Sequence, residues 1–364
     1  MTLLSRVPQN IRSISPYVPG KPITALSRET GVPVQDIVKL ASNENPLGMS
    51  PKARAAVERA VSGSERYPDQ FDLIAKLAAH LQLDANQIVL GNGSNDVLDL
   101  AARVFLTSTA NAVMSQYAFA VYPISTLTAG AKAVVVPAKD YGHDLDAMLA
   151  AIDANTRLMW IANPNNPTGN FLPYPQIKAF LAKVPQDVAV VLDEAYNEYL
   201  PPELRADATR WLGEFPNLII TRTFSKIYGL AGLRVGYSVS APDVADLLGR
   251  VRQPFNVNNL ALVAANAALD DVSFLEQSFE LNQRGLMQLQ AGVASLGLSY
   301  IPSCGNFLTI AIDNGAEVNA RLLTQGIIVR PIAGYGLPNH LRVSIGQAFE
   351  NQRCLDALAI ALRG

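Results

Sequence analysis

Cysteine is almost missing from this chain: Cys304 and Cys354 are the two among 364 residues. Two thiols with no close spacing do not suggest a disulfide framework or a zinc site, and leave small buried thiols as the ordinary reading. Histidine is nearly as scarce. His80, His143 and His340 are isolated from one another, so no metal site is expected. Charge is low as well, with 16% charged residues and a net charge of −2, which argues against nucleic acid or an anionic membrane as partner. No apolar run reaches membrane-spanning length, and the N-terminal stretch around Arg6 and Arg12 lacks the apolar core of a signal. These absences point to a cytoplasmic protein. Hydrophobic residues, by contrast, make up 49%, which fits an enzyme with much buried sheet, and the length suits two domains.

The pattern along the chain supports this. Residues 1–35, with Pro8, Pro16, Pro19, Gly20 and Pro22, read as an arm too broken for a packed element. Helical stretches are expected at 52–61, 73–81, 96–105 and 176–183. They alternate with strand-like runs at 88–90, 112–115, 133–136, 158–162, 188–192, 218–221 and 235–239. That alternation predicts an α/β fold with a mainly parallel sheet between helices. After Pro254 long helical stretches at 260–269 and 274–296 precede short strands near 307–312 and 341–345 and a last helix at 351–362. This reads as a smaller α+β domain.

The most informative segment is Arg222-Thr-Phe-Ser-Lys226-Ile-Tyr-Gly-Leu-Ala-Gly-Leu-Arg234. Thr223 and Ser225 offer hydroxyls to a phosphate, and Arg234 offers a charged fork. Lys226, once neutral, can attack an aldehyde carbon. Pyridoxal 5′-phosphate (PLP) combines an aldehyde with a phosphate. Two further motifs suit it. Asn163-Pro-Asn-Asn166-Pro-Thr-Gly169 follows the run 158–162, so its side chains sit at a strand's carboxyl end, where open α/β sheets bind ligands. Asn166 could bond the phenolic oxygen of the pyridine ring. Asp193-Glu-Ala-Tyr196 follows the run 188–192, and a carboxylate there is costly without a partner. The ring nitrogen would be that partner, with Asp193 keeping it protonated as the electron sink. Tyr196 could reach the phenolic oxygen.

With these motifs the chain resembles the fold-type I PLP aminotransferases, and among them the histidinol-phosphate aminotransferase family. The likeness extends to 40–48 (Leu-Ala-Ser-Asn-Glu-Asn-Pro-Leu-Gly), Arg66-Tyr-Pro-Asp69, Gly91-Asn-Gly-Ser94, Pro254-Phe-Asn-Val257, 303–307 and 334–342. One departure is Asn95-Asp96 after Ser94, where the family usually has Asp-Glu. The resemblance implies a seven-stranded sheet, an arm at 1–35, a large PLP-binding domain at 36–255 and a small domain at 256–364. It implies that Gly93, Ser94 and Asn95 cradle the phosphate at a helix start, and that Tyr117 stacks on the ring. Lys226, Asp193 and Tyr196 would be catalytic. Asn43, Arg330 and Arg342 would hold the substrate. It further implies a homodimer, with Tyr67 reaching the phosphate and Tyr17 the substrate in the neighbouring subunit's site.

The expected reaction is transamination between L-histidinol phosphate and 2-oxoglutarate. Arg342 would equally suit an amino acid's α-carboxylate. The arm segment Tyr17-Val-Pro-Gly-Lys-Pro22 resembles family branches that serve aromatic substrates, which makes a phenylalanine or tyrosine aminotransferase the nearest alternative. A threonine-phosphate decarboxylase shares this fold and these motifs. A catalytically silent PLP-fold regulator is a third alternative, against which intact Lys226, Asp193, Asn166 and Arg234 argue.

Overall fold

The computed structural model of the chain describes residues 2–363. A first short strand, β1 (Val38–Lys39), stands apart from the main sheet. Seven strands build that sheet: β2 (Ile88–Gly91), β3 (Asn111–Ser115), β4 (Lys132–Val136), β5 (Thr156–Ala162), β6 (Ala189–Asp193), β7 (Leu218–Thr223) and β8 (Gly236–Ser240). Their order is β2-β8-β7-β6-β5-β3-β4, with β8 antiparallel to both its neighbours and the β7-β6-β5-β3-β4 run parallel. The expected mainly parallel seven-stranded sheet is thus present.

Side chains alternate across a strand, so each strand feeds two cores. Val190 and Leu192 of β6 and Leu218 and Ile220 of β7 enter one core. Ala189, Val191 and Ile219 enter the other, with Leu158 and Trp160 of β5. Burial on both faces explains why these runs are continuously apolar rather than alternating. The same parity sends Asp193 to the face of Val191 and Glu194 to the face of Leu192. The chain lays β4 outside β3 and then returns to put β5 on β3's other side. Strand order reverses there, which opens a crevice at the carboxyl ends.

Local chemistry fixes several helix starts. Ser50 accepts from the Ala53 N–H at 3.1 Å, with Pro51 as first residue of the helix Pro51–Ala60. Asn258 caps Asn259–Ala268 in the same way, at 2.8 Å to Ala261 N. The helix Val121–Thr128 was not expected. Its Val, Tyr, Ile and Thr are strand formers, and packing of Tyr122 and Thr126 in the core overrides that preference.

The later part of the chain adds β9 (Tyr300–Ile301), β10 (Phe307–Ala311), β11 (Ile327–Ile328), β12 (Arg330–Pro331) and β13 (His340–Ser344). Four of them form an antiparallel sheet, β12-β13-β10-β9, and β11 pairs with β1 in parallel. Arg330 stands opposite Arg342 in the register of β12 and β13, so both belong to one face.

One expectation needs correction. The arm is not without a packed element: Ile23–Thr30 is a helix, and its Leu26 packs with Ile37, Ala41 and Ile328. One apolar stripe is enough to dock a short helix despite the prolines before it. Packing also crosses residues 35/36 and 255/256. Val38 and Leu40 join the C-terminal core, while Val257, Ala261, Ala265 and Phe307 join the core of the large sheet. Both cysteines are free, Cys354 buried and Cys304 half-buried. Among the described residues no helix is long and apolar enough to cross a membrane.

Candidate active site

A cavity of about 390 Å³ is lined by Ala162, Asp193 and Thr223, the last residues of β5, β6 and β7. Lys226 follows β7 by one turn and enters the same cavity. It is half-buried, with Nζ 3.4 Å from the Ser42 carbonyl and 5.5 Å from the centre of the Tyr196 ring. Desolvation, then the charges of Arg342 and Arg234, lower its amine to about 8. At neutral pH roughly a tenth of it is then uncharged, against a few parts in ten thousand for an ordinary lysine. That is the form a nucleophile needs.

Asp193 faces the cavity from β6 and is buried. Burial pushes its carboxyl up, and hydrogen bonds, first that of Tyr122, pull it back. The Tyr122 hydroxyl donates to Oδ2 at 2.8 Å, and the Ala195 N–H donates to Oδ1 at 3.2 Å. Glu194, on the opposite face, does not compete. Its Oε2 accepts from Arg222 at 2.8 Å and its Oε1 from Tyr174 at 2.7 Å.

One end of the cavity is a set of hydrogen-bond donors. Ser94 and Asn95 begin the helix Ser94–Phe105 there, beside Thr223, Ser225 and Arg234. Arg234 donates to Ser225 Oγ at 3.2 Å and to the Ala231 carbonyl at 3.1 Å. A Cβ on Gly93 would meet the Arg234 guanidinium, and φ there is +77°. A Cβ on Gly236 would meet the backbone of Gly93 and Ser94. Bare backbone at both positions lets the helix N-terminus, Ser225 and Arg234 close on one point.

The other end belongs to Arg342. It is buried on β13, and donates to Asn166 Oδ1 and to the Ala41 carbonyl, the latter at 2.9 Å. Its Nε has no partner, and among the described residues no carboxylate lies within ion-pair distance. Desolvation lowers its affinity for its own proton. A buried guanidinium without a counter-ion is a demand for an anionic ligand.

Most of the expected site residues meet here. Asn43, Asn166, Tyr196, Tyr17, Ser94, Asn95, Thr223, Ser225, Arg234 and Arg342 all line the cavity that holds Lys226 and Asp193. The amide of Asn43 is already committed. It donates to Tyr196 Oη at 2.9 Å and accepts from Ser344 at 2.8 Å. Arg330 lies outside, on an adjoining cavity of about 640 Å³, with its guanidinium 5.2 Å from the Tyr17 ring centre. Tyr17 lines both cavities of its own chain, where the arm delivers it. Tyr67 is 80% exposed and stacks on Phe255 at 4.4 Å, away from the cavity. Tyr117 is corrected. It packs on Tyr141 at 5.9 Å and does not line the cavity, whereas Phe119 does. Phe119 and Tyr122 were missed. The Phe119-Ala-Val-Tyr122 spacing before a helix was the available signal, and strand parity could not reveal it because β3 ends at Ser115.

These residues fit PLP. The donor set gathered at Gly93, Ser94, Ser225 and Arg234 suits a phosphate, with no Cβ in the way. The buried Asp193, whose Oδ1 has one long bond, suits a ring cation. The lowered Lys226 suits the aldehyde, and Phe119 gives the ring an apolar wall.

Comparison with known proteins agrees. Residues 35–358 match the family described as aminotransferase class I and II. Histidinol-phosphate aminotransferase 1 of Dechloromonas aromatica (strain RCB) is 64% identical over 362 residues, 100% of each chain. That of Thiobacillus denitrificans is 58% identical, over 98% of this chain and 93% of its own. Among solved structures, the histidinol-phosphate aminotransferase of Sinorhizobium meliloti in complex with pyridoxal-5′-phosphate superposes with a TM-score of 0.90. It is 30% identical and covers 99% of this chain and 98% of its own.

Proposed function

The chain belongs to the class I and II aminotransferases, and on that premise we propose that it transfers the amino group of L-histidinol phosphate to 2-oxoglutarate. The products are imidazole acetol phosphate and glutamate, a step of histidine biosynthesis. Bound PLP supplies an aldehyde that captures the amino group and a protonated ring that takes up the electrons of the broken Cα–H bond. The chain's own residues do the rest. Lys226 Nζ, low in pKa and held over Tyr196, takes the Cα proton and returns it one position along. Asp193 keeps a proton on the ring nitrogen. Tyr196 and Asn166 offer hydrogen bonds to the phenolic oxygen. Gly93, Ser94, Asn95, Thr223, Ser225 and Arg234 hold the phosphate. Phe119 takes the stacking role first assigned to Tyr117. Arg342 binds the substrate's anion, with Arg330, Tyr17 and Asn43 around it.

We take the functional unit to be a homodimer, with Tyr67 offered to the partner's phosphate site. The exposed aromatics Tyr67, Phe71 and Phe255, at 80%, 72% and 53%, support an apolar interface. We assign the enzyme to the cytoplasm. The large unit comprises the seven-stranded sheet and the helix Asn259–Ala268, with a smaller C-terminal unit and the arm beside it.

The observation that carries the substrate is Arg342, buried beside the reactive lysine without a carboxylate. The test compares L-histidinol phosphate, phenylalanine and threonine phosphate as substrates. Histidinol phosphate should have the highest kcat/KM. Arg342→Ala should raise its KM by tenfold or more, because a charge-assisted pair is lost. Histidinol, lacking the phosphate, should be poor with wild type and little affected by the substitution. Preference for phenylalanine, or carbon dioxide release from threonine phosphate, would overturn the assignment.

A further inference from the structure

No role assigned so far uses the buried hydroxyl of Tyr122. The helix Val121–Thr128 carries this residue into the core, fully buried. Its ring lies flat on Trp160 of β5, with 5.0 Å between centroids and 3° between planes. Trp160 is held in turn, since its Nε1–H donates to Thr126 Oγ1 at 3.2 Å, on the same helix as Tyr122. Phe119 closes another side edge-on at 5.7 Å. The phenol is therefore clamped, with its O–H aimed at Asp193 Oδ2, 2.8 Å away.

We propose that Tyr122 is a positioning residue that keeps Asp193 ionised and fixes which of its oxygens is left for the cofactor. The proposal rests on the reading of this site as a PLP site. Parity explains the geometry. Asp193 and Trp160 belong to the same face of the sheet, so a ring stacked on Trp160 comes within reach of the carboxylate. Among the described residues Asp193 has no cationic partner, so its charge depends on donors. A phenol donating to an ionised oxygen in dry surroundings is the strongest of the groups that hold its charge, ahead of the Thr221 hydroxyl and the Ala195 N–H. Oδ1 keeps spare acceptor capacity for a ring N–H. Tyr122 does not itself ionise, because burial and then Asp193 hold its proton on far above the usual range. The other titratable groups nearby are engaged or neutral. Glu194 is bonded to Arg222 on the far face, Tyr196 is bonded to Asn43, and burial keeps Tyr335 protonated.

Without the phenol, Asp193 becomes a stronger base, and the proton it shares with the ring nitrogen moves toward it. A ring that has lost this proton withdraws fewer electrons. The nitrogen joining Lys226 to the cofactor then keeps its own proton to higher pH.

The experiment is a pH titration of the bound cofactor's absorbance in wild-type and Tyr122→Phe holoenzyme, with kinetics on histidinol phosphate. The midpoint should rise by about one pH unit in the variant. Its kcat should fall about tenfold, with KM within about twofold and Tm lowered by no more than a few degrees. In an Asp193→Asn background, adding Tyr122→Phe should change kcat no further. A midpoint moved by less than about 0.3 units, or an equal loss of kcat in both backgrounds, would overturn the proposal while leaving the PLP reading intact. A wild-type protein with no cofactor band would overturn both.

Discussion

At the scale of the residue, the legible part of this site was its rare combinations. A lysine behind two hydroxyls with an arginine eight positions on, an Asp after an apolar run and an Asn in a Pro-rich turn pointed to one cofactor, and all four line one cavity. Single aromatics were harder. Tyr117 and Phe119 lie two apart in a loop, and a turn from Ser115 to Ala118, closed at 3.1 Å, separates Phe119 on the cavity wall from Tyr117. No periodicity governs such a turn. Lys226 carries a prediction of its own. Attachment of PLP to the apoenzyme needs the neutral amine, so its rate should rise with pH through a midpoint near 8 and level off above it. Borohydride reduction followed by peptide mapping should place the pyridoxyl group on Lys226. Lys226→Ala should still bind PLP, but without the reducible link and without turnover. A midpoint above 10, or a label on another lysine, would contradict the assignment.

At the scale of the element, strands were legible because burial on both faces makes them continuously apolar, and Val188 to Leu192 could scarcely be read otherwise. Helices that rely on tertiary packing were not, as Val121–Thr128 illustrates. Links between elements were invisible as well. The pair Arg222–Glu194 ties β7 to the end of β6 on the face away from the cavity, and needs both parities at once. His143 is a second such link, from the turn at 139–142 to the end of β5. Its Nε2 lies 2.9 Å from the Ala162 carbonyl and 3.2 Å from the Ala162 nitrogen. One ring nitrogen cannot donate and accept at once. With Nδ1 buried and unpartnered, the Nε2–H form leaves a bare acceptor rather than an orphaned donor, and is the cheaper one. The ring is therefore neutral, and burial lowers its pKa from 6.5 to about 4. The unfolded chain takes up a proton below pH 6.5 that the folded chain refuses until about pH 4. Stability is therefore full above 6.5 and falls as pH drops between those values, by about 2 kcal/mol at pH 5. Urea unfolding of the apoenzyme at fixed protein concentration, at pH 7.5 and 5.0, should reveal this loss. His143→Gln should remove that share of it. An unchanged pH dependence in the variant would show that other groups carry the acid sensitivity.

At the scale of the whole molecule, the single chain leaves Tyr67 unexplained. A tyrosine 80% exposed, stacked on a half-exposed Phe255, has a use when a second copy covers it. Tyr17 differs, because its own chain already carries it to the cavity wall beneath Arg330. The sequence placed both in an arm and a turn and could not separate them, since which subunit a side chain serves depends on where an arm docks. Mixed dimers separate them. In a hybrid of a Tyr67→Phe subunit with a Lys226→Ala subunit, the one site that keeps Lys226 receives the wild-type Tyr67 of its partner. That site should regain normal PLP affinity, read from the reducible fraction at limiting cofactor. Tyr17→Ala on the Lys226-bearing subunit should stay impaired toward histidinol phosphate in the same kind of hybrid, because its own chain places Tyr17 at the cavity. Moved to the Lys226→Ala subunit, the same substitution should leave the surviving site unaffected. Weak PLP binding in the first hybrid would put Tyr67 in its own chain's site. Recovery in the second would mean that the arm crosses to the partner, and that its docking on its own subunit is not the arrangement the working dimer uses.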